Sequence, residues 1–90
     1  MIRAHVFFEG RVQGVFFRSN CEKMAKRIGV TGWVRNLPDG RVEATIEGSR
    51  EGVQELIRWC ENEQPHANVT NVDVDWKKTT GSFDKFRIRR

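Results

Sequence analysis

Apolar residues change their spacing several times along this chain. Ala4, Val6 and Phe8 fall on every second position of residues 2–9. Successive strand side chains point to opposite faces, so this run reads as a half-buried strand. The spacing then lengthens. Cys21, Met24, Ala25 and Ile28 stand at i, i+3, i+4 and i+7, which predicts a helix over 18–28. Gly29 is a natural stop. Residues 30–36 and 41–47 return to strand spacing, the second with Val42, Ala44 and Ile46 inward and Arg41, Glu43, Thr45 and Glu47 outward. Leu37-Pro38-Asp39-Gly40 joins them. Proline presets the first turn residue and glycine accepts positive φ, so a tight hairpin is expected. Ser49 can cap a second helix, with Glu51 favourable in its first turn. Val53, Leu56, Ile57 and Cys60 form its apolar stripe, and Pro65 ends it. Val72, Val74 and Trp76 alternate in a further strand, Phe86 and Ile88 in a short last one.

The resulting order is β-α-β-β-α-β with an extra C-terminal strand. That is the split βαβ arrangement of a ferredoxin-like domain. The expected fold is therefore an α+β sandwich, an antiparallel sheet carrying two helices on one face. Ninety residues are enough for one domain, 1–90, with a single two-layer core. No repeat, linker or low-complexity tract interrupts it. Such a fold hosts many functions, so the chemistry must be sought in particular residues.

Charge narrows the choice only a little. Lys and Arg number 16 and Asp and Glu 12, a formal charge of +4. This favours anionic ligands but is no nucleic-acid footprint by itself. The charges are interspersed, apart from Arg87, Arg89 and Arg90, which read as a solvated end. No apolar run reaches membrane-span length, and no secretion-signal pattern opens the chain. A cytoplasmic protein without membrane contacts is the expectation. Cys21 and Cys60 both lie on apolar stripes, where buried, inert thiols are the usual outcome. If the helices run antiparallel, the two could instead face each other as a disulfide. His5 and His66 are isolated and make no metal site.

The segment Gly10-Arg11-Val12-Gln13-Gly14-Val15-Phe16-Phe17-Arg18 joins the first strand to the first helix. A helix start carries free N–H groups and partial positive charge, a ready anion site. Arg18 adds a planar fork of donors suited to phosphate oxygens. No Gly-Lys-Ser/Thr follows, so this is not a Walker A loop. The plainer reading is a strand-to-helix turn with a solvated arginine. Ser19 has no nearby His or Lys base and reads as a first-turn helix residue. Asn36, in Gly32-Trp33-Val34-Arg35-Asn36-Leu37-Pro38-Asp39-Gly40, reads on its own as a turn residue.

Taken in order, Gly-Arg-Val-Gln-Gly-Val-x-Phe-Arg and Gly-Trp-Val-x-Asn-x-x-x-Gly-x-Val-Glu resemble the two motifs of the acylphosphatase family. The resemblance runs over nearly the whole chain. It implies hydrolysis of the carboxyl–phosphate bond of small acyl phosphates to a carboxylate and inorganic phosphate. It implies that Arg18 binds the phosphoryl group, helped by the loop amides of Gln13, Gly14, Val15, Phe16, Phe17 and Arg18. It implies that Asn36 positions the attacking water. Phe16 stands where family members commonly have a small residue, and Leu37 where some have a hydroxyl. The implied scheme needs no metal and no cofactor. A monomer is expected, with inorganic phosphate as product and inhibitor.

A ferredoxin-like RNA-binding module is the alternative. Such modules present aromatics on adjacent central strands. Here the outward residues Arg41, Glu43 and Glu47 make a poor stacking platform, and His5 and Phe7 are the only hint. Trp33, Trp59 and Trp76 are spaced singly and read as core-edge cover.

Overall fold

The computed structural model describes residues 1–90. Its elements run β1(Ile2–Arg11), α1(Phe17–Ile28), β2(Thr31–Asn36), β3(Val42–Gly48), α2(Arg50–Asn62), β4(Asn68–Lys78) and β5(Phe86–Ile88). The strands form one sheet in the order β4-β1-β3-β2-β5. Ala4, Val6 and Phe8 of β1 lie opposite Ile46, Ala44 and Val42 of β3. These residues are fully buried, together with Cys21 and Ala25 of α1 and Val53, Leu56 and Cys60 of α2. The period-2 and period-3.6 patterns thus meet in one core between the sheet and two helices on one face. β4 is longer than the alternation of Val72, Val74 and Trp76 implies. Its first residues pair with Gly10 and Arg11 across a register shift after Glu9.

The sheet is mixed rather than wholly antiparallel. β5 runs parallel to β2, with Gly32 opposite Phe86 and Val34 opposite Ile88. The reason is geometric. β4 and β5 occupy opposite edges, and β4 ends at the end of the sheet where β2 begins. The chain crosses beneath the helix-free face and enters the far edge heading the same way as β2. The Gly32 N–H donates to the Lys85 carbonyl at that entry, 3.1 Å. Gly32 has φ +133, and a Cβ there would collide with the Thr45 carbonyl. Only glycine lets β2 and β3 approach so closely.

The outward face of β3 also departs from expectation. Glu43, Thr45 and Glu47 point away from the helices, yet all three are buried. The crossing segment supplies part of the cover: the Thr80 N–H donates to Glu47 Oε2 at 3.2 Å, and Arg3 lies over the Phe83 ring. Buried carboxylates need partners. Arg3 donates to Glu47 at 2.7 Å, Arg35 donates to Glu43 at 2.7 Å, and His5 Nε2 lies 2.6 Å from the other Glu43 oxygen. Burial pushes both carboxyls up. The hydrogen bonds from His5 and Arg35 to Glu43, and from Thr80 and Arg3 to Glu47, more than offset this. Both end below the ordinary 4.5.

Candidate active site

The loop after β1 is anchored from below. Val12, Val15 and Phe17 are buried and alternate with the more exposed Gln13, Gly14 and Phe16. Phe17 meets Phe8 edge-on at 5.1 Å between ring centres. With its apolar residues pulled inward, the backbone must turn sharply above them. Gly14 and Phe16 both take positive φ, +74 and +61. Gly14 does so freely, because a left-handed backbone costs glycine little. Phe16 is the residue preceding α1, in left-handed conformation and with no side-chain cap. α1 has no acidic residue in its first turn. From Gln13 to Ser19 no backbone N–H donates to another backbone group of the chain. Alternating backbone hands turn successive N–H groups toward one concavity, a known form of anion nest.

That concavity is a pocket of about 260 Å³, walled by Val12, Gly14, Phe16 to Ser19 and Asn36. Arg18 stands half-buried in the wall. Arg3, Arg35 and Arg41 are each paired with a carboxylate, whereas Arg18 makes no ion pair. Asn36 closes β2 on the other side, just before the hairpin. Its Oδ1 is buried with no hydrogen-bond partner. An unpaired buried acceptor costs about 1–3 kcal/mol, and Gln64 Oε1 shares that state, so what sets Asn36 apart is that it also lines the pocket. The fold thus brings the residues of both sequence motifs to one pocket.

Gln13 acts differently from a plain loop amide. Its side-chain amide donates to the Leu37 carbonyl at 2.9 Å and the Arg41 carbonyl at 3.0 Å. It therefore ties the loop to the hairpin that carries Asn36. Val15 lies in the core and its side chain does not reach the pocket. Ser19 lines the pocket from the first turn of α1, as read from the sequence.

Gln64 was invisible to motif reading. It follows α2, is only 7% exposed, and donates to the Phe17 carbonyl at 2.9 Å. It thus grips the first residue of α1 from behind the pocket. The one signal in the sequence is a polar residue next to Pro65, which does not distinguish a buried anchor from a loop.

Cys21 and Cys60 are two free, buried thiols, not a disulfide. The adjacent Cys60 thiol, and then burial, raise the Cys21 pKa well above its ordinary 9.0. A thiol held protonated is a poor nucleophile. The helix-free face offers no free stacking platform. Arg41 covers the Phe7 ring, and Arg35 and Arg89 both cover Trp33. His5 is engaged with Glu43, and His66 sits alone in the turn after α2. No helix is long and apolar enough to cross a membrane.

The comparisons with known proteins agree with this geometry. The acylphosphatase family model matches residues 4–88. The acylphosphatase of Roseiflexus sp. is 54% identical over 88 residues, covering 98% of this chain and 95% of that protein. The crystal structure of acylphosphatase from Bacillus subtilis is 32% identical, with a TM-score of 0.95 over 100% of both chains. An acylphosphatase structure from Coxiella burnetii is 38% identical, with a TM-score of 0.89, covering 98% of this chain and 92% of that one. The likeness thus spans the sequence, the sheet and the pocket-bearing loop together, and the chain belongs to the acylphosphatase family.

Proposed function

We propose that the chain is an acylphosphatase, hydrolysing small acyl phosphates to a carboxylate and inorganic phosphate. One observation carries this reading: an uncapped helix start, an unpaired arginine and an orphaned asparagine acceptor share one pocket.

The free N–H groups of the loop and the Arg18 guanidinium receive the phosphoryl oxygens. Their positive ends are already fixed in place, so little reorganisation is needed as charge develops on those oxygens. Asn36 holds the water. A half-turn about its terminal torsion presents the carbonyl oxygen to the pocket, where it accepts from water and aims the oxygen lone pair at phosphorus. The water oxygen forms a new bond to phosphorus while the bond from phosphorus to the acyl oxygen breaks. The electron pair leaves with the carboxylate. An amide is no base, so a phosphoryl oxygen takes the water proton. A carboxylate is a good leaving group and needs no strong acid. Phosphoryl transfer leaves a protein mainly positioning and charge stabilisation to supply. The groups named suffice without a metal, and the product phosphate fits the same cradle as a competitive inhibitor.

The test is phosphate release from acetyl phosphate, followed with and without exhaustive chelation and with added inorganic phosphate. Turnover that survives chelation and is inhibited competitively by phosphate is expected. No turnover, or turnover lost on chelation and restored by Mg²⁺ or Zn²⁺, refutes the scheme.

A further inference from the structure

We propose that Phe16 selects the acyl portion of the substrate, favouring acyl phosphates whose acyl group is apolar or aromatic. This deepens the acylphosphatase reading and rests on it. The first ground is exposure. Phe16 is 76% exposed, while Val15 and Phe17 beside it are 6% and 2% exposed. Its ring adds nothing to the core. The second is company. Phe7, Trp33, Trp76 and Phe83 each lie under an arginine, whereas Phe16 has neither an arginine nor an aromatic partner. The third is backbone. At φ +61 and ψ +23 the position suits glycine, and as the residue before a helix it suits a capping Ser, Asp or Asn. Phenylalanine meets neither demand, and strained positions held against local preference cluster at ligand sites.

Location assigns the ring its task. Phe16 borders the pocket that Arg18 and Asn36 line. Every acyl phosphate presents the same phosphoryl group to the loop, so the loop cannot tell one from another. The acyl group must project from the cradle past the pocket rim. The exposed ring at that rim is an apolar surface that becomes useful only when an apolar group covers it. A methyl group covers little of it, and a phenyl ring covers much more.

The experiment compares kcat/KM for benzoyl phosphate and acetyl phosphate in the unaltered chain, Phe16→Gly, Phe16→Ser and Phe16→Leu. Reading the ratio cancels any effect of these changes on phosphoryl binding, which both substrates share. The ratio is expected to fall about three- to tenfold in Phe16→Gly and Phe16→Ser, the size of one lost aromatic contact, and less in Phe16→Leu. Phe16→Gly is expected to raise Tm, since the left-handed backbone is then unstrained. A ratio unchanged in the glycine and serine variants, with or without a fall in both rates, overturns the proposal while leaving the hydrolytic reading intact. If the unaltered chain hydrolyses neither compound, the hydrolytic reading fails first and this one with it.

Discussion

The two helices of this protein begin in opposite ways. α2 starts at Ser49, whose backbone is extended and whose hydroxyl accepts from the Gly52 N–H at 3.0 Å. Glu51 adds negative charge to its first turn. α1 starts at a left-handed Phe16 with no cap and no acid. Both starts present the same chemistry, free donors at the positive end of a dipole. In α2 the chain answers that need from its own residues and closes the matter locally. In α1 the need is left open, and an arginine without a carboxylate partner increases the local positive charge. A helix start that stabilises its own fold and one proposed to serve a ligand therefore differ in what is missing.

The largest test of this contrast is Arg18. Arg18→Ala is expected to lower kcat by about 10³–10⁵-fold, the range for an arginine that stabilises a phosphoryl transition state. Arg18→Lys should recover little of it, since an ammonium offers no planar fork. Steady-state kinetics on acetyl phosphate decides this, and near-normal turnover in the lysine variant would show that α1 needs no guanidinium. Asn36 comes next. Asn36→Ala should cut kcat by about 10²–10³-fold, as for one lost active-site polar group, while phosphate inhibition stays close to normal. A variant that is destabilised but fully active would make Asn36 a turn residue only.

Gln64 sharpens the contrast from behind. Removing its grip on the Phe17 carbonyl lets the open helix start shift. Gln64→Ala should lower kcat/KM about tenfold, less than the ~10²-fold of an ångström-scale misplacement, and should weaken phosphate inhibition in parallel. A fall in Tm without a kinetic change would mean that Gln64 is only a structural anchor. The opposite pattern is expected at α2. Ser49→Ala should cost about 1 kcal/mol of stability, read by denaturant midpoint, with kcat/KM unaltered.

The smallest effect concerns neither helix start and serves as their control. Glu43 and Glu47 titrate below their ordinary 4.5 in the folded chain. A depressed carboxyl gives stability that is present above the unfolded value and lost as pH falls through the folded one. Thermal melts should therefore be flat near neutrality and decline below about pH 4.5. Glu47→Gln should shrink that decline, whereas Ser49→Ala should leave its shape unchanged.

Particular residues show how far the sequence could be read. The stripes of Cys21 to Ile28 and Val53 to Cys60 place both helices, because burial on one face imposes period 3.6. Ser49 announces its cap, because capping is chemistry between near neighbours. β5 was legible as a strand but not as a parallel one: alternation of Phe86 and Ile88 carries no information about a partner. Glu43 and Glu47 were assigned to the correct face, yet their burial comes from distant residues: His5 and Arg35 close over Glu43, and Arg3 and Thr80 of the crossing segment over Glu47. Phe16 carries no mark of positive φ, since that marker is normally glycine. The two motifs pointed to Arg18 and Asn36. That the Gln13 side chain ties the loop to the hairpin, and that Gln64 grips the Phe17 carbonyl, required three dimensions.

The position of β1 between β3 and β4 has a consequence in time. Gly10 and Arg11, which lead directly into the loop before α1, pair only with Val69 and Asn68 of β4. Translation reaches those partners about sixty residues later, which at roughly 5–20 residues per second is a delay of about 3–12 s. Until then the loop has no edge to rest on. Pairings this distant also fold slowly once the partners are available. The proposed anion site therefore cannot ripen early on a growing chain. It arrives together with the completed sheet.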